Sequence, residues 1–186
     1  MMDKKRHFDS SKEIIEAMYY LDNYCILKNI HAEIVLMGGS AIMITLGILN
    51  GMNFRSTNDI DVETISTTDM DLLQESLDLS NIHLVGGIME VPPLEDLKEK
   101  DNLYEIHQDF SDINLFVPNI EILACCKIFS KRQKDLDDLE NTPLLDACDK
   151  GKLLEMVNEY KVELLNPNDP DLNVHQLDNI FRQRSI

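Results

Sequence analysis

No apolar run in these 186 residues approaches the ~20 needed to cross a bilayer, and the opening Met1-Met2-Asp3-Lys4-Lys5-Arg6-His7 is polar. Neither membrane insertion nor secretion is expected, and a cytoplasmic location is. The four cysteines, Cys25, Cys125, Cys126 and Cys148, include no C-x-x-C pair and no partner histidine at zinc-ligand spacing, so they read as reduced, partly buried thiols. The histidines show no H-x-x-x-H or H-E-x-x-H spacing, and there is neither a G-x-S-x-G elbow nor a Walker-type glycine-lysine loop. Positive charge is scarce: 17 Lys and Arg face 34 Asp and Glu, a formal charge of -17 at pH 7 that repels nucleic acid at long range. Small ligands and protein partners fit that balance; a polynucleotide would need a local basic patch or a helping subunit.

Ser10 and Glu13 form a capping box, and Ile14, Met18, Leu21 and Cys25 recur at helical spacing, which predicts an amphipathic helix over 11–29. The run 32–37, Ala-Glu-Ile-Val-Leu-Met, reads as a buried strand ending at Gly38-Gly39, with a mostly apolar helix from Ser40. Asp59-Ile60-Asp61-Val62-Glu63 alternates as a half-buried strand does. A helix is expected over 69–79, short strands at 82–85 and 103–107, and a further strand over 112–117 stopped by Pro118. From Asn119 the pattern is helical, broken near 130–134, 141–143, 151 and 166–170. Strands and helices first, helices afterwards, predict an α/β (α+β) fold: a small mixed sheet flanked by helices, with residues 1–118 as the core and 119–186 as a helical part packed on the same domain.

Between a strand and a helix, a glycine pair lets the backbone approach a phosphate, and Ser40 adds a hydroxyl there. Two residues apart on one strand, Asp59 and Asp61 share a face with Cα atoms within roughly 7 Å, a spacing suited to a hard divalent cation. Taken singly, the glycines are also a tight turn and the aspartates also a solvated strand face. Further on, Ile120, Leu123, Ala124 and Lys127 fall at i, i+3, i+4 and i+7, so Lys127 shares an apolar face. Its ammonium either snorkels out, pairs with a carboxylate, or meets a nucleotide triphosphate. Asp135 and Asp138 share one helical face and could orient such basic groups.

Taken in order, Gly38-Gly39-Ser40-Ala41 and Arg55-Ser56-Thr57-Asn58-Asp59-Ile60-Asp61-Val62 resemble the signature of the DNA polymerase beta superfamily of nucleotidyltransferases. The resemblance is to its small prokaryotic branch, akin to the abortive-infection toxin nucleotidyltransferases of toxin-antitoxin systems. Pro118-Asn119-Ile120-Glu121-Ile122-Leu123-Ala124, Lys127 and Arg132-Gln133-Lys134-Asp135 through Leu139 resemble that family's downstream helix, with its internal lysine and R-x-K-D-x-x-D element. The third carboxylate that the family carries on a neighbouring strand is replaced by Asn114, leaving Asp112 as the provisional substitute.

The resemblance implies a nucleotidyltransferase-type sheet on which Asp59, Asp61 and Asp112 hold Mg²⁺ or Mn²⁺. Gly38, Gly39 and Ser40 would hold the β and γ phosphates of a nucleoside triphosphate, with Lys127, Arg132 and Lys134 offsetting their charge and Arg55 and Thr57 shaping the loop ahead of the acidic pair. It implies transfer of a nucleoside monophosphate to an acceptor hydroxyl on a tRNA end, a protein or a small molecule. The alternative is a catalytically impaired nucleotide-binding or regulatory module with a cognate partner protein.

Overall fold

The computed structural model describes residues 7–85 and 90–186; the polar opening Met1 to Arg6 lies outside them. Helix α1 (Ser11–Lys28) is capped by Ser10, whose hydroxyl accepts from Glu13 N, while the Glu13 carboxylate accepts from Asp9 N at 2.6 Å. Its inward face is the one the period selects, with Ile14, Met18, Leu21 and Cys25 all fully buried. The helix stops at Asn29, which adopts the left-handed conformation favoured at such ends.

Strand β1 (Ala32–Met37) is the middle of a five-stranded mixed sheet, beside β2 (Asp61–Thr67), β3 (His83–Leu84), β4 (Leu103–Glu105) and β5 (Ile113–Pro118) in the order β3-β2-β1-β5-β4. β1 runs antiparallel to β2 and parallel to β5. Its central place explains a continuous apolar run where an outer strand alternates: Ile34 and Leu36 enter one core, Val35 and Met37 another on the opposite face. β2 begins at Asp61, so Asp59 precedes the strand on which the alternation placed it.

Helix α2 (Gly38–Ile44) starts two residues ahead of Ser40 and runs into a π-helical stretch, Thr45–Leu49. Asp69 caps α3 (Met70–Ser80), and Asn119 caps α4 (Ile120–Ile128). Helices α5 (Gln133–Asn141), α6 (Lys150–Glu163) and α7 (Leu177–Arg184) follow. Leu123, Leu139, Leu153 and Phe181 from these helices join the same buried cluster as Ile14 and Ile34. The four cysteines are free thiols, and among the described residues no helix is long and apolar enough to cross a membrane.

Candidate functional site

Strand register brings the first two motifs together. Met37, the last residue of β1, lies opposite Asp61, the first of β2, and Asp61 in turn lies beside His83, the first of β3. After Met37 the chain turns through Gly38 at φ +57, a conformation that costs other residues roughly 1–2 kcal/mol. A Cβ on Gly38 would sit 3.4 Å from Asp61 Oδ2, and one on Gly39 only 3.1 Å from Thr57 Oγ1. The glycines therefore let the β1–α2 turn pack tightly against the loop at Thr57 and the start of β2 at Asp61. Ser40 is buried, and its hydroxyl donates to Met37 O at 2.8 Å. That bond closes the turn.

Asp59 is exposed in the loop before β2, and Asp61 is half-buried at the strand's start. Burial pushes the Asp61 carboxyl above its ordinary range, the charge of Asp59 adds to the rise, and His83, Arg132 and Lys134 oppose it. The loop is fastened on two sides. Thr57 pairs through both backbone groups with Phe8, at 2.8 and 3.0 Å, and Ser56 Oγ donates to Asp9 at 2.6 Å. On the other side Arg55 makes a two-pronged bond to Asp138, with Nη2 to Oδ2 at 2.7 Å, and its Nη1 donates to Ser56 O.

Asp138 belongs to a buried ion network. Lys127, 5% exposed, donates to Asp135 Oδ1 at 2.5 Å and lies 2.9 Å from Asp138 Oδ2, while Arg132 Nε donates to Asp135 Oδ2 at 2.7 Å. Both carboxylates are essentially fully buried, on the face of α5 where the i, i+3 spacing puts them. Burial alone would raise Asp135, but hydrogen bonds from Lys127, Ser130 and Arg132 outweigh it and hold the carboxyl below its usual range. Three cations against two carboxylates leave the network with one net positive charge. Lys127 is thus paired with carboxylates, one of the alternatives its place on an apolar face left open.

Asp112 does not join the acidic pair. Ile113, its neighbour, lies opposite Ala32 at the beginning of β1, whereas Asp61 lies opposite Met37 at its end. Five residues of strand separate the two levels, roughly 17 Å. Asn114 is at the same far end, opposite Glu33. The backbone there is held by Asp22, a buried side chain that the sequence did not single out: it accepts from the amides of Ser111, Asp112 and Ile113 at 2.8–3.2 Å. Among the described residues no group of three His, Cys, Asp or Glu side chains is placed to hold a metal ion. Asp59 and Asp61 remain as a two-carboxylate donor set. Hard oxygen donors and the mutual repulsion registered at Asp61 both fit a divalent cation.

A cavity of about 390 Å³ opens beside Asp61. Gly38, Asp61, Lys127, Arg132 and Asp135 supply polar lining, and Val85, Val91, Phe129 and Leu164 apolar lining. Five residues of the sequence signature, from three separate stretches of chain, thus meet on one hollow. Gly39, Thr57 and Arg55 stand behind it as supports, and Lys134 is exposed on the first turn of α5, within electrostatic reach of Asp61. Glu90 also lines the cavity, and His83 is beside Asp61. Neither carries a local signal, because strand pairing and the path of 90–91 bring them in.

No curated protein and no solved structure matches the chain. One family model does, over residues 13–184, and its span takes in the glycine turn, the acidic pair and the lysine-aspartate network alike. A match across nearly the whole chain, on a fold that gathers those motifs around one cavity, places the protein in the family described as nucleotidyltransferase of unknown function (DUF6036).

Proposed function

We propose that the protein transfers a nucleoside monophosphate from a nucleoside triphosphate to an acceptor hydroxyl at the cavity beside Asp61. The observation that carries this reading is the convergence of Gly38, Asp61, Lys127 and Arg132 on that one cavity. In the reaction the acceptor oxygen bonds to the α-phosphorus, the bond from phosphorus to the α–β bridging oxygen breaks, pyrophosphate leaves, and the hydroxyl proton passes to water. A divalent cation held by Asp59 and Asp61 would neutralise charge on the reacting phosphates. Lys127 and Arg132, which line the cavity, would draw the polyphosphate, and the absent Cβ at Gly38 leaves room for it beside Asp61. Catalysis on this reading is positioning and charge neutralisation. A tRNA end, a protein side chain or a small molecule could serve as acceptor; the acidic surface favours the last two.

Thermal unfolding with each nucleoside triphosphate, in Mg²⁺ or in EDTA, tests the site, because a ligand that binds only the folded state raises the melting temperature. A Mg²⁺-dependent rise that disappears in Asp61→Asn is expected. A rise that survives in that variant would remove Asp61 from the site, and no rise with any nucleotide would remove the proposal.

One observation favours a second reading, in which nucleotide binds without transfer and the protein regulates a partner. His83, not a carboxylate, is in register beside Asp61, and Asp112 is at the other end of the sheet. Mg²⁺-dependent nucleotide binding with no pyrophosphate release, whatever hydroxyl acceptor is supplied, would decide for it.

A further inference from the structure

Glu90 sits in the cavity with no part in the chemistry above. Its Oε1 accepts from the backbone N–H of Leu165, which ties it to the chain just beyond α6, and Oε2 with its lone pairs remains for other donors. The lining beside it is apolar: Val91 follows it in sequence, Leu164 precedes its anchor, and Val85 and Phe129 face the same space. Lys131, whose ammonium is bound by Asp169, also feels the negative charge of Glu90.

Opposite signs within one cavity orient a nucleotide. Phosphates are drawn to Lys127, Arg132 and the divalent cation proposed at Asp61 and repelled by Glu90, so the base is directed to the apolar lining and to Glu90. A carboxylate only accepts hydrogen bonds. Guanine offers it two adjacent donors, N1–H and the N2 amino group. Cytosine and adenine each offer one amino group next to a ring-nitrogen acceptor. Uracil offers a single N–H between two carbonyl oxygens, which repel the carboxylate.

Resting on the nucleotidyltransferase reading of this site, we propose that Glu90 is its specificity-determining residue and selects guanine nucleotides, with uracil nucleotides bound least. Charge-assisted hydrogen bonds of this kind discriminate by about tenfold or more.

Titration calorimetry of GTP, CTP, ATP and UTP in Mg²⁺, with the unaltered protein and with Glu90→Gln and Glu90→Asp, tests it. Glutamine keeps the shape and the bond to Leu165 but presents an amide where the carboxylate was; aspartate keeps the charge but withdraws the oxygens. GTP is expected to bind at least about tenfold tighter than UTP, with the gap closing to about threefold or less in both variants. Equal affinities in the unaltered protein, or a GTP preference that survives in either variant, would overturn the assignment while leaving the nucleotide site intact. Failure of all four nucleotides to bind would remove the site reading and this inference together.

Discussion

Asp61 and Asp135 line one cavity, yet pH acts on them in opposite senses. Asp61 is raised in the folded protein from 3.8, by burial first and by Asp59 second. The stability linked to it is therefore complete below about pH 3.8 and is lost as pH rises through its folded value. Asp135 is lowered from 3.8 because its bonds to Lys127, Ser130 and Arg132 outweigh burial. Its contribution is present above about pH 3.8 and is lost as pH falls through its folded value. In EDTA, Asp61→Asn should be more stable than the parent at pH 7 and equal to it at pH 3. Asp135→Asn should be less stable at pH 7 by about 2–3 kcal/mol, since it strips one partner from the buried Lys127 ammonium, with the deficit shrinking in acid. Urea denaturation between pH 3 and 8 reads both; Asp61→Asn proving the less stable at neutral pH would contradict the repulsion assigned to the acidic pair.

The turn from β1 into α2 sets a helix preference against a steric limit. Alanine is better than glycine inside a helix by roughly 1 kcal/mol. At Gly39, however, the new methyl would press on Thr57 Oγ1 at 3.1 Å, and crowding of that kind costs about 1–3 kcal/mol. Gly39→Ala is thus expected to destabilise the parent but to stabilise a Thr57→Ala background, where ordinary contacts with Cβ of residue 57 at 3.5 Å and Phe54 Cε1 at 3.9 Å remain. A double-mutant cycle by chemical denaturation should give a coupling of about 1 kcal/mol or more; additive effects would mean that turn and loop do not press on each other. Elements of this kind were readable where the signal is local: the α1 face through Ile14, Met18, Leu21 and Cys25, the bounds of β1, and the shared face of Asp135 and Asp138. What depends on pairing between distant strands was not. Asp112 looked adjacent to the site because the sequence shows an acidic residue on a strand but not the level at which that strand meets β1. Glu90 and His83 gave no signal, and the π-helical stretch after α2 has no period that separates it from an ordinary helix.

Across the whole molecule, an excess of 17 negative charges surrounds a cavity whose wall carries the two cations Lys127 and Arg132. That contrast lets a small anion bind where a long polyanion is kept away. Among the described residues the hydrogen bond of longest sequence reach is that of Asp22 of α1, whose carboxylate holds amides 89 to 91 residues further along the chain. A contact that closes so long a loop is expected to form late, after α1 has coiled and β1 has met β2 across its much shorter connection. Asp22→Ala should therefore cost about 2–3 kcal/mol and show it in stopped-flow traces mainly as faster unfolding, with the refolding rate nearly unchanged. Slowed refolding would instead put the arrival of β5 in the folding nucleus. On the expected outcome, Asp22 is a latch closed last, and its work is to set how long the assembled sheet survives before it opens.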